Sequence, residues 1–165
     1  MAFARHVMEN FSTIGVILNS VAVFLGVTMT FSAIFQLKKY GEQRTMMSSQ
    51  HSLAGPMMML VCGAMLLILP EFIDSMLLAF WNNDVPGSYQ GDTTGWGSLV
   101  PAIEVFVRVV GVGAFIRGIV LMSRVGGQQS QQGTLGKAVV HMFSGLLCIH
   151  ITGTISLLKN ILGLN

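Results

Sequence analysis

The chain has 165 residues, 52% of them hydrophobic and 10% charged, with a formal net charge of +2. A soluble domain carries roughly 25% charged residues, so this composition excludes an ordinary water-facing surface. The small net charge gives no basis for a nucleic-acid-binding face, and no direct nucleic-acid binding is expected.

The apolar residues are gathered into long runs, which makes the bilayer their natural solvent. The first run begins near Thr13 and lasts about 25 residues, against roughly 7 to 15 for a signal-peptide core, so no cleavage is expected. Crossings are predicted over residues 13–37, 53–80, 99–122 and 135–158. Each is long enough, at about 1.5 Å per residue, for a hydrocarbon core of about 30 Å. The expected fold is all-α and integral to the membrane, with four transmembrane helices forming two tandem helical hairpins.

The first loop carries Lys38, Lys39 and Arg44, and the third carries Arg124 and Lys137, whereas the middle loop holds Asp84 and Asp92 and no basic residue. The positive-inside rule therefore predicts cytoplasmic first and third loops and both termini outside, periplasmic in a Gram-negative inner membrane. Trp81, Tyr89 and Trp96 bracket the middle loop, where an interfacial aromatic belt is expected. Lys38, Lys39 and Arg124, with a snorkelling Arg117, are the expected contacts to lipid headgroups.

The two halves also match. Gly26-Val27 through Gly41-x-Gln43 corresponds to Gly111-Val112 through Gly126-x-Gln128 at a spacing of 85, and Leu53, Gly63 and Ile73 correspond to Leu135, Gly145 and Ile155 at a spacing of 82. This suggests hairpin repeats over 13–80 and 98–163, both entering the membrane in the same direction.

Within the second crossing, Leu69-Pro70-Glu71 predicts a kink or an early helix end that brings Glu71 and Asp74 towards the outer interface. Met46-Met47 and Met57-Met58-Met59 read as adaptable packing rather than copper ligands, because consecutive residues do not share a helix face. Cys62 and Cys148 read as small apolar side chains.

The third crossing holds Glu104, Arg108 and Arg117. At about 100° per residue, Glu104, Arg108, Gly111, Ala114 and Gly118 share a face, so an acid, a base and a row of small residues are made for protein rather than lipid. Glu104 and Arg108, four residues apart, are expected to pair, and the alternative is a charged lining for a pore or seam. Self-association is expected through Gly111, Ala114 and Gly118, with Gly145 as a further packing glycine. In the fourth crossing His141 is expected to hydrogen-bond a neighbouring helix or to pair with Glu104, and no metal site is expected from His141 and His150, which face opposite ways. The chain contains no P-loop, GxSxG, HExxH or CxxC, so neither an enzyme nor a cofactor is expected.

The segments LKKYGEQRTMMSSQHSLAGPMMMLVCGAMLLILPEF and GKAVVHMFSGLLCIHI resemble the IcmC/DotE family of small inner-membrane proteins of type IVB secretion systems, with relatives in IncI-type conjugation (TraQ) and the sister IcmD/DotP proteins. The pattern is a basic loop, a polar Gln/Ser/Met stretch and a Pro-led apolar helix with Gly63 and a Leu69-Pro70 ending. The fourth crossing departs from it, with Ile151-Thr152 where the second has Leu69-Pro70. The resemblance implies a multipass component of an export or DNA-transfer machine, with other secretion-system membrane subunits as partners and no catalytic residues to carry over. The paired-hairpin architecture is also similar to that of conjugative pilins, which implies a homo-oligomer, bound phospholipid and a filament outside the membrane. The competing expectation is a small ion or solute transporter using Glu104, Arg108 and His141.

Overall fold

The computed structural model describes residues 2–43, 53–82, 100–125 and 133–163, with side chains from residue 13 onward. Arg44, Met46-Met47 and the middle-loop residues Asp84, Tyr89, Asp92 and Trp96 lie outside the described residues. Among the described residues there are six helices and no strand: α1 (Ala2–Gln43), α2 (Ala54–Leu67), α3 (Leu69–Trp81), α4 (Val100–Met122), α5 (Thr134–Ile149) and α6 (Ile151–Leu162).

Taken singly, α1, over Thr13–Glu42, and α4 are long and apolar enough to cross a membrane. The segments expected as the second and fourth crossings are instead bent pairs, turning by 89° between α2 and α3 and by 96° between α5 and α6. Two helices thus qualify as spans on their own, and four segments do so only if each bent pair counts as one. The 14 residues of α2 and 16 of α5 give roughly 21 and 24 Å of helix, short of a core of about 30 Å.

The two breaks have different causes. Pro70 lacks an N–H, and its ring conflicts with the carbonyl four residues back, so the helix ends at Ile68, whose φ of −107° and ψ of 34° leave the helical region. Pro70 then sits in the first turn of α3, where an N–H is not needed. At the second break there is no proline. His150 has φ −105° and ψ 54°, and its Nδ1 accepts the Gly153 N–H at 3.0 Å, capping α6. The Thr154 hydroxyl lies 2.9 Å from both the Leu147 and the His150 carbonyls, which supplies a donor where the helical ladder is interrupted. Ile68 and His150 stand 82 residues apart, the same spacing that relates Gly63 to Gly145.

Close packing within each hairpin rests on corresponding glycines. A Cβ on Gly26 would lie 2.9 Å from the Gly63 carbonyl, and one on Gly145 would lie 2.7 Å from both the Gly111 carbonyl and the Phe115 amide. Contacts this short are with backbone and leave no room for a side chain. They run α1 antiparallel to α2 and α4 antiparallel to α5. Because α3 starts at the α2 break and its Trp81 reaches the α5 break, both breaks lie at the same end of the bundle, and α1 and α4 run parallel.

The core between these helices includes Ala22, Cys62, Leu66, Leu69, Leu77, Phe115, Ile119 and Leu146. The outside is also apolar: Phe24, Phe31, Phe35, Phe106, Val140 and Phe143 are exposed. On α1, the hydroxyls of Ser20, Thr28 and Ser32 donate to carbonyls three or four residues back, so these polar groups are satisfied without water.

Candidate functional site

The buried polar residues Glu104 and His150 both belong to the second hairpin, towards the end of the bundle that holds the breaks. Gly111 faces Cys148 and Ile149, so α5 ends beside the middle of α4, and Val100–Arg108 runs on past it for roughly 13 Å. Glu104 and Arg108 therefore lie on the stretch of α4 that extends beyond the end of α5, and α4 also contacts α6. Arg108 Nη2 donates to Glu104 Oε1 one helical turn away, and the side chains are 26% and 8% exposed. The guanidinium against it offsets the cost of covering the carboxylate.

At the α5–α6 break, the Trp81 indole stacks on the His150 imidazole, with centroids 4.9 Å apart and planes within 6°. Gly153 closes the other side, since a Cβ there would strike the His150 ring and lie 2.8 Å from Trp81 Cδ1. The Gly153 N–H donates to His150 Nδ1, so this ring nitrogen serves as the acceptor that caps α6. The His150 Nε2 and the Trp81 Nε1 are both buried and make no hydrogen bond to protein. The junction is thus held by shape and stacking.

The other residues singled out in the sequence lie elsewhere. His141 is at the far end of the hairpin, since its neighbour Met142 packs on Gly118, fourteen residues along α4 from Glu104 and so roughly 20 Å away. It does not pair with Glu104, and its Nδ1 donates to the Lys137 carbonyl of its own helix at 2.8 Å. Gly111 and Gly118 do not form an open face for a second copy: they are filled by α5, with a Cβ on Gly118 lying 2.5 Å from Met142 Cγ and 3.1 Å from the Ala138 carbonyl. Ala114 is half-buried beside them. Lys38, Lys39, Arg117 and Arg124 are exposed towards the end of the bundle opposite the breaks, and Lys38 pairs with Glu42 at 3.8 Å.

Sequence reasoning did not find Trp81 and His150 as partners. The available signal was the spacing of 82 that places His150 over Ile68, together with a glycine three residues after the histidine, where a side-chain cap finds its N–H. Compared with protein-family models, with curated proteins and with solved structures, the chain matches none.

Proposed function

We propose that this protein is a multipass structural subunit of a bacterial inner-membrane assembly, of the type IVB secretion or IncI-type conjugation kind, and that it acts by self-association and not by catalysis or transport. The observation that carries the reading is the disposition of polarity. The acid–base pair on α4 is largely covered, Glu104 being 8% and Arg108 26% exposed, while Phe24, Phe31, Phe35, Val140 and Phe143 give the exterior an apolar surface. A conducting path needs its ionisable groups in contact with water. A subunit that lives among lipids and copies of itself needs an apolar outside, with its charges paired within.

The resemblance of residues 37–72 and 133–153 to the IcmC/DotE pattern supplies the assignment to a secretion or conjugation apparatus. In this reading α1 and α4 cross the membrane, α2 and α5 return most of the way, and α3 and α6 lie close to the outer interface. The basic ends bearing Lys38, Lys39, Arg117 and Arg124 meet cytoplasmic headgroups, and both termini are periplasmic. The test is genetic and biochemical together. In a host carrying such an apparatus, deletion of the gene should abolish export or conjugal transfer. The chain should sediment with inner membranes after alkaline washing and run as an oligomer on native gels. A monomer released by the wash would overturn the reading.

A further inference from the structure

α3 and α6 follow breaks at corresponding positions, and each leaves its hairpin at about a right angle, yet only α3 contributes buried residues, Leu69, Ile73 and Leu77, while α6 has none. α3 lies across the second hairpin. Phe72 meets Phe115 with centroids 5.8 Å apart, Phe80 meets Phe143 edge-on at 5.9 Å, and Trp81 stacks on His150. Met76 lines an apolar pocket of about 140 Å³ with Val139 and Met142. Among the described residues, α6 lies across no hairpin in the same way. From Ile155 to Gly163 every residue of it is exposed, Leu158 at 53% and Leu162 at 68%. These two leucines stand at the spacing of 82 from Met76 and Phe80, and being four residues apart they share a face.

The first hairpin offers the corresponding receiving surface. Where Val139, Phe143 and His150 receive α3, the same spacing gives Met57, Val61 and Ile68, exposed at 54%, 45% and 55%. Met57 and Val61 lie one turn apart on one face of α2, and Ile68 ends the same row at the break.

We propose that α6 of one copy lies across the first hairpin of the next, with Leu158 and Leu162 against Met57, Val61 and Ile68, as α3 lies across the second hairpin within the chain. The proposal rests on the reading of the protein as a self-associating membrane subunit, and it names the seam. The occupant is a second copy and not lipid because the seam continues one the chain already makes. Hairpins then follow one another in a row, each receiving the bent helix of the one before. Lys159 stands where α3 has the buried Leu77, so α6 presents a narrower apolar face and the seam rests on the two leucines. Inserted and receiving surfaces differ, so the contact is heterologous and propagates into a ring or a filament.

The experiment uses the full chain in native membranes with Cys62→Ala and Cys148→Ala, two cysteine pairs and a short bis-maleimide cross-linker. Phe80→Cys with Phe143→Cys, the seam within the chain, should close inside one monomer. Leu162→Cys with Val61→Cys should give a ladder of multiples of the chain. Either single variant alone should give no product, and the two singles co-expressed should give dimers only. Leu162→Cys cross-linking to itself would overturn the proposal, as would no ladder while the Phe80–Phe143 pair closes. A nitroxide at Leu162 relaxed by oxygen as strongly as one at Val110 would assign the face to lipid and overturn it too. An oligomer on native gels without the ladder sinks this seam and leaves the subunit reading standing, whereas a monomeric chain sinks both.

Discussion

The indole of Trp81 lies flat on the imidazole of His150, 4.9 Å between centroids, and through this contact the end of α3 is fixed to the break between α5 and α6. It is one of three aromatic contacts, with Phe72–Phe115 and Phe80–Phe143, that tie α3 to the second hairpin. Because the indole Nε1 makes no hydrogen bond to protein, its contribution comes from area and stacking, the latter worth about 0.5–1.5 kcal/mol.

Trp81→Phe should therefore be nearly neutral, while Trp81→Ala should destabilise by about 3 kcal/mol through lost packing. Thermal unfolding in detergent distinguishes them. Equal losses for both would mean that the N–H carries a bond of real weight. At His150, the alanine variant should fall below the asparagine variant by about 1 kcal/mol, because Asn still offers Gly153 an acceptor.

The glycine contacts predict a sharp contrast along α4. Gly145→Ala and Gly111→Ala place a methyl within 2.9 Å of backbone atoms across the α4–α5 contact, and each should cost about 1–3 kcal/mol through overpacking. Gly113→Ala, with nothing within 4 Å of its Cβ, should be neutral or slightly stabilising. The order of melting temperatures checks this, and a Gly113 variant as damaged as the other two would contradict the packing.

The proposed topology sets the two ends of the bundle on opposite sides of the membrane. Cysteine at Glu42 or Gly133, on a chain lacking Cys62 and Cys148, should resist a membrane-impermeant thiol reagent in spheroplasts, and cysteine at Asn82 should react. The reverse pattern would invert the protein.

Much of this arrangement is legible in the sequence because it follows from period and charge. The i, i+4 spacing of Glu104 and Arg108 on an apolar helix leaves little choice but a pair, and Pro70 forecasts the first break. The glycine correspondences at spacings of 85 and 82 pick out residues that pack on each other as Gly26 on Gly63 and Gly111 on Gly145. The second break is harder to read. It is made by His150 acting as a cap and by the Thr154 hydroxyl, neither of which interrupts the apolar pattern from Leu146 to Leu158. The role of Gly118 was misjudged for a related reason: small residues show that another helix comes close without showing whether that helix belongs to the same chain.

If the buried charges of α4 serve assembly and not conduction, the pair Glu104–Arg108 is needed for the oligomer and carries no flux. Removing one partner leaves a poorly solvated charge, a loss of about 3–5 kcal/mol for a buried pair and towards the lower figure here because Arg108 is partly exposed. Assembled protein should be measured on native gels, and proton and ion flux in liposomes, for Glu104→Gln, Arg108→Gln and the double variant. Each single change should deplete the oligomer and the double change should restore much of it, with no flux from any of the three. Normal assembly of both single variants together with an altered flux would contradict it.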